Sequence, residues 1–277
     1  KDTCIQCNQC AFVCPHAAIR PILVKKSELD TKPARFETVP TKGKGLEDYE
    51  FRMQVAPLDC LGCGVCEDVC PTKTKSLVMQ PIASQYDQIE NWEYAAEKSK
   101  ESLGIPADNV KNSQFRTPYL EFSGACAGCG ETPYAKVITQ LYGDSMMIAN
   151  ATGCSSIWGA SYPSSPYTTD SRGRGPAWGN SLFEDNAEFG LGMAVAAKQV
   201  RAKVKENVEK LSGMNVPKET KATISAYLET FSEREENKAA AEALIAALEA
   251  VSAAGEEAEL IKEVLDRKDH IAKRSIW

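Results

Sequence analysis

Two stretches of this chain repeat one cysteine pattern, CIQCNQCAFVCP at residues 4–15 and CLGCGVCEDVCP at residues 60–71. Both read C-x2-C-x2-C-x3-C-P. Three thiolates on one tight loop can take three corners of an iron–sulfur cubane. The fourth cysteine, followed by a chain-breaking proline, points away and caps the partner cubane. The spacing therefore predicts two [4Fe–4S] clusters with crossed ligands. One takes Cys4, Cys7, Cys10 and Cys70, and the other takes Cys60, Cys63, Cys66 and Cys14. Zinc is the alternative. Its sites usually combine two separated Cys-x-x-Cys pairs, which this spacing suits poorly.

Uncharged residues between the thiols (Gly62, Gly64, Asn8, Gln9) are expected to let backbone N–H groups approach sulfur. His16 stands close enough in sequence to touch a cluster, but it reads first as a satisfied surface histidine. Residues 15–59 exceed the connection that two such motifs need. The polar, Lys- and Pro-containing stretch from Lys25 to Phe51 reads as a surface excursion. Phe51, Met53 and Val55 alternate, which predicts a short strand leading back to the second motif.

Composition narrows the setting. The 277 residues carry a net charge of -6 and only two histidines, against eleven cysteines. The charge leaves no basic surplus for nucleic acid. The scarcity of histidine argues against His-based zinc sites and Ser-His-Asp catalysis. No apolar run approaches a membrane span, and no secretory signal pattern is present. Clustered cysteines in such a chain point to metal and a reducing compartment rather than disulfides. The chain starts without Met and stops at HIAKRSIW, which resembles a strand just beginning. A piece of a longer polypeptide is expected.

Eight cysteines belong to the repeat, which leaves Cys126, Cys129 and Cys154. The first two lie just before a predicted helix. Thr132 is its expected cap, Pro133 its first residue, and Gly143 its stop. MMIANA at 146–151 reads as a buried strand with Cys154 beyond its carboxyl end, where open α/β sheets bind ligands. The three thiols can belong to a third cluster, to zinc, or to ordinary buried cysteines. A cluster would need a non-cysteine ligand or a cysteine outside this chain. Residues 81–117 read as a connector draped over the structure, with a short helix in NWEYAAEKSKESLG ending at Gly104. The glycine-rich loop from Thr168 enters a helix near Asn186. Residues 198–270 are expected to form charged amphipathic helices divided at Pro217 and Gly255, a structural insertion without chemistry.

The ordered set CIQCNQCAFVCPHAAI, CLGCGVCEDVCP, GACAGCGETPY, ATGCSSIWGAS and GRGPAW followed by NSLFEDNAEFG resembles pyruvate:ferredoxin (flavodoxin) oxidoreductases. The resemblance is strong over residues 1–197 and looser beyond. It implies an α+β ferredoxin-like two-cluster domain (1–80), a connector (81–117), and the N-terminal part of an α/β thiamine diphosphate domain with a helical insertion (118–277). It also implies that Cys126, Cys129 and Cys154 ligate a third, proximal [4Fe–4S] cluster whose fourth cysteine lies further along the polypeptide. Glu131 and Cys154 match positions that contact thiamine diphosphate.

The implied reaction is oxidative decarboxylation of pyruvate with CoA to acetyl-CoA and CO2. Electrons then pass through three clusters to ferredoxin or flavodoxin. A homodimer in an anaerobic cytoplasm is implied as well. The Gly-Asp-Gly motif that holds Mg²⁺ is missing: Gly143-Asp144-Ser145 precedes an apolar strand instead of following one. The substrate- and CoA-binding domains are also outside these residues, so this segment alone is expected to be inactive. Two other readings remain: a two-cluster electron-transfer protein with an appended binding module, and a sister 2-oxoacid:ferredoxin oxidoreductase.

Overall fold

Each cysteine repeat closes on a four-residue helix, α1 (Gln9–Phe12) in the first and α2 (Val65–Asp68) in the second. The computed structural model describes residues 3–101, 103–161 and 165–277. They fall into two compact units, Lys1–Asp144 with Ala151–Ala177, and Ser145–Asn150 with Trp178–Trp277.

The first unit is built on a three-stranded antiparallel sheet. Strand β1 (Ile19–Lys25) pairs with β3 (Tyr49–Val55), with Ile19 opposite Val55 and Lys25 opposite Tyr49; β2 (Val39–Pro40) lies on the far side of β3. Consecutive apolar residues in β1 serve two cores, because alternate side chains leave opposite faces. Ile22 and Val24 pack with Phe36 and with Ala95 of α3 (Ile89–Lys98). Leu23 turns the other way, onto Leu46, Phe51 and Phe115.

The expected strand at Phe51–Val55 is present and longer than alternation alone suggested. Two expectations are corrected. The stretch from Lys25 to Phe51 is not simply a surface excursion, since Phe36 and Leu46 are buried in these two cores. The helix in the expected connector stops at Lys98, and it packs its Ala95 and Asn91 inward rather than lying over the surface.

Beyond the short α4 (Val110–Ser113), helix α5 runs from Thr132 to Tyr142. Proline stands in its first turn, where a missing N–H costs nothing. Glu131, rather than Thr132, occupies the cap position. The expected strand at 146–151 is present as β4 (Met146–Ala151), but it alternates buried and half-buried residues and is not buried along its whole length. It leads into α6 (Cys154–Ser156), continued by a wide turn through Ser161.

In the second unit β4 is the middle strand between β5 (Ala177–Ser181) and β6 (Ser275–Ile276), and β6 runs parallel to it. The expected beginning of a strand at the final residues is thus observed. Four helices follow β5: α7 (Asn186–Ser212), α8 (Lys218–Glu229), α9 (Glu235–Glu249) and α10 (Glu256–Leu265). Pro217 and Gly255 cap α8 and α10, as the sequence suggested. Val204, Val208, Leu211, Ile224, Tyr227, Leu244, Leu248 and Val264 form their shared core. No helix among the described residues is long and apolar enough to cross a membrane.

Candidate metal centres

The two halves of the repeat have the same backbone. Gly62 and Gly64 hold positive φ of 67° and 78°, and so do their counterparts Gln6 (58°) and Asn8 (61°). Glycine takes this conformation freely; other residues give up about 1–2 kcal/mol. The first half offsets that cost with side-chain hydrogen bonds. Gln6 Nε2 donates to the Pro40 carbonyl at 2.9 Å, its Oε1 accepts from Lys42 N at 2.7 Å, and Asn8 Nδ2 donates to the Lys111 carbonyl at 2.9 Å. Gln9, expected among these loop positions, is instead the first residue of α1.

Folding the halves together leaves two cavities. One, of about 330 Å3, is lined by Cys4, Cys7, Cys10 and Cys70 with an apolar wall that includes Ile5, Val39 and Phe51. The other, of about 590 Å3, is lined by Cys14, Cys60, Cys63 and Cys66 with Ile19, Val55 and Val65. Each cavity therefore takes three thiols from one half and its fourth from the other. Met53 and Leu77 line both, so the cavities share a wall. The thiols raise one another's pKa within each cavity and, at Cys10, across the wall between them. Burial first, then repulsion that includes Cys66, Cys7 and Cys4, pushes Cys10 up to about 12. Burial, then Cys14, Cys60 and Cys63, pushes Cys66 up to about 11. Cys70 differs. Although burial opposes it, the Thr72 and Ser76 hydroxyls and N–H groups hold its thiol down to about 7.

Among the described residues no three Cys, His, Asp or Glu side chains converge on a point that would suit a single ion. A tetrahedral zinc needs four sulfurs about 2.3 Å from one point. Four thiols spaced around a cavity suit a polynuclear cluster better.

The third thiol group also lies in the first unit. A tight turn joins Cys126 to Cys129, whose N–H donates to the Cys126 carbonyl at 3.0 Å; Gly128 within it has φ of 75°. A Cβ on Gly128 would lie 3.7 Å from Cys63 Cβ and 3.8 Å from Val65 Cγ2, so this turn abuts the second cavity's loop. Trp158, one turn beyond Cys154, packs with Leu120 and Ala135 and against Ala125. Its Nε1 donates to Glu131 Oε2 at 3.3 Å. The segments bearing Cys126, Cys129, Glu131 and Cys154 are thereby packed together. Cys126 and Cys154 are exposed and Cys129 is partly so.

Three buried polar groups surround these sites; the sequence reading favoured the surface for His16 and passed over Arg20 and Lys136. His16 is not a surface residue. It is buried, lines the second cavity, and leaves Nε2 without a hydrogen-bond partner. Burial lowers its pKa, while the backbone of Ser123 and Cys126 pulls the other way. Arg20 is buried and paired with Glu121, its guanidinium 4.8 Å from the centre of the Trp92 ring, and it interacts electrostatically with Cys14. Lys136, on α5, donates to the carbonyls of Ala11 and Cys14. Burial lowers its ammonium to about 8, Cys14 and Cys10 opposing and Arg20 reinforcing. The only sequence signal for these groups was their position beside a motif.

Residues 3–74 match the family model described as the 4Fe–4S dicluster domain. The whole chain is 49% identical to a pyruvate-flavodoxin oxidoreductase of Enterobacter agglomerans and 47% identical to the pyruvate:ferredoxin oxidoreductase of Moorella thermoacetica, covering 24% of each. By sequence, this chain is similar along its whole length to part of the pyruvate:ferredoxin (flavodoxin) oxidoreductases. Over 75% of its length it is also 50% identical to a pyruvate dehydrogenase [NADP(+)] of Cryptosporidium parvum, of which it covers 11%. The chain thus spans about a quarter of the length of the oxidoreductases it matches. Within that quarter lie the repeat, its two thiol-lined cavities and the third thiol group.

Proposed function

We propose that these residues form the iron–sulfur segment of an enzyme that oxidatively decarboxylates pyruvate with CoA, giving acetyl-CoA and CO2 and reducing ferredoxin or flavodoxin. The observation that carries this reading is the pair of thiol-lined cavities with crossed ligands, abutted by a third thiol group, in a chain about half identical to such enzymes.

In this reading Cys4, Cys7, Cys10 and Cys70 hold one [4Fe–4S] cluster, and Cys14, Cys60, Cys63 and Cys66 hold another. Cys126, Cys129 and Cys154 hold three corners of a proximal cluster, whose fourth ligand comes from elsewhere in the polypeptide. When bound, the clusters accept and pass single electrons, and thiamine diphosphate with Mg²⁺ supplies the decarboxylation chemistry. The donor sets fit. Each cavity offers four thiols in an apolar wall, and the second also offers the unpartnered Nε2 of His16. The thiol sites are strung in sequence. The turn at Gly128 meets the loop of the second cavity, which shares a wall with the first.

Glu131 would meet the thiamine cofactor, with one oxygen held by the Trp158 N–H and with Cys154 close in the chain to that tryptophan. On this assignment residues 1–80 are the two-cluster domain and 81–117 a connector. Residues 118–277 are part of the thiamine diphosphate domain, with 198–270 as its helical insertion. The enzyme is a cytoplasmic homodimer.

Anaerobic purification of the full-length enzyme with iron and sulfide analysis tests the assignment. About twelve irons are expected for three cubanes. A value near eight removes the proximal cluster, and zinc in place of iron removes the reading. Cys129→Ser should lower the count by about four and abolish carrier reduction that depends on both pyruvate and CoA. Carrier reduction with another 2-oxoacid but not with pyruvate would reassign the substrate.

A further inference from the structure

The repeat contains an internal comparison that the cysteine pattern hides. In each half one lysine ammonium caps the short helix and the fourth cysteine. Lys136 donates to the carbonyls of Ala11 and Cys14. In the second half Lys75 Nζ donates to the carbonyls of Asp68 and Cys70, both at 2.8 Å. The two lysines come from unrelated places. Lys75 is five residues from its cysteine and exposed, whereas Lys136 reaches in from α5 and is 2% exposed. Among the described residues Lys136 has no carboxylate partner, and its bonds go to backbone carbonyls alone. The neighbouring cation, Arg20, is by contrast paired with Glu121.

We propose that Lys136 is a potential-setting residue: its buried, unpaired charge beside Cys14 holds the cluster of the second cavity at a less negative reduction potential than that cluster would otherwise have. This inference rests on the cluster assignment above. The sign follows from electrostatics. One electron taken up from a chemical reductant adds one negative charge near the ammonium, and no bond is made or broken. A nearby positive charge favours the reduced form. Attraction across a buried region is screened far less by salt than attraction at the surface. Lys75 stands in the same relation to Cys70, but in water. The pair therefore forms a strong cap and a weak one at corresponding positions of the repeat. The strong cap lies at the cavity that the Gly128 turn abuts.

The test is an EPR-monitored redox titration of the full-length enzyme carrying Lys136→Gln, Lys136→Met, Lys136→Arg or Lys75→Met, in low and high salt. Glutamine keeps a donor for a carbonyl and removes the charge. Lys136→Gln and Lys136→Met should each move one ferredoxin-type midpoint to more negative potential. The expected shift is at least a tenfold loss in the reduced-to-oxidised ratio, about 59 mV for one electron. It should be unchanged by salt. Lys136→Arg should restore the midpoint. Any shift from Lys75→Met should collapse in high salt.

Full iron content with unmoved midpoints in both neutral variants overturns the proposal, as does a Lys136 shift that salt abolishes. Loss of iron from both neutral variants but not from Lys136→Arg makes Lys136 a structural clamp, and also overturns it. A wild-type enzyme without iron would instead sink the cluster assignment itself.

Discussion

At the scale of single residues, the thiols that look identical in the sequence differ in chemistry. Cys70 is held down to about 7 by hydroxyl and N–H donors after opposing burial, whereas burial leads in pushing Cys10 up to about 12 and Cys66 up to about 11. The thiolate is the reactive form. In the cluster-free chain at pH 7.5, iodoacetamide should therefore alkylate Cys70 roughly tenfold or more faster than Cys66 or Cys10, even after the lower nucleophilicity of a low-pKa thiolate is counted. Peptide mass spectrometry would read the order, and the gap should narrow as pH rises toward 11. Thr72→Ala should slow Cys70 by removing a donor. Removing the partner of a buried charge costs about 3–5 kcal/mol. Glu121→Gln, beneath Arg20, should lower unfolding free energy by that order in a denaturant titration. The cysteine grouping was legible because ligand spacing is local. His16 and Gln6 were not legible, because burial and a left-handed backbone depend on what the rest of the chain brings against them.

At the scale of elements, helices were read more faithfully than strands. Helix α5 was marked by proline at its start and by Gly143 at its stop. The helices of the second unit were marked by their charged amphipathic pattern and by the divisions at Pro217 and Gly255, where α8 and α10 begin. Strand β1 was passed over. Its apolar run is short, and Pro21 within it argues against a strand, yet Pro21 stands opposite Met53 in the ladder. The strand holds because both of its faces are covered, which no local signal records. Ile22 is 1% exposed in the core with Phe36 and Ala95. Ile22→Ala should cost about 2–4 kcal/mol by lost burial and cavity formation, measured by chemical denaturation. Leu23→Ala should cost a similar amount through the opposite core.

At the scale of the molecule, the helical unit has its own core and carries none of the cysteines. Leu244→Ala there should lower stability by about 2–5 kcal/mol. Hydrogen exchange should speed up across residues 186–271 while iron content holds. The first unit behaves otherwise. Each cavity borrows its last sulfur from the opposite half of the repeat. Damage to one half is consequently shared: an oxidised or substituted Cys14 injures the site built on Cys60, Cys63 and Cys66, although these lie more than forty residues away in the chain. A graft of one half from a relative would have to fit a partner it did not evolve beside, so the two motifs form a single heritable part.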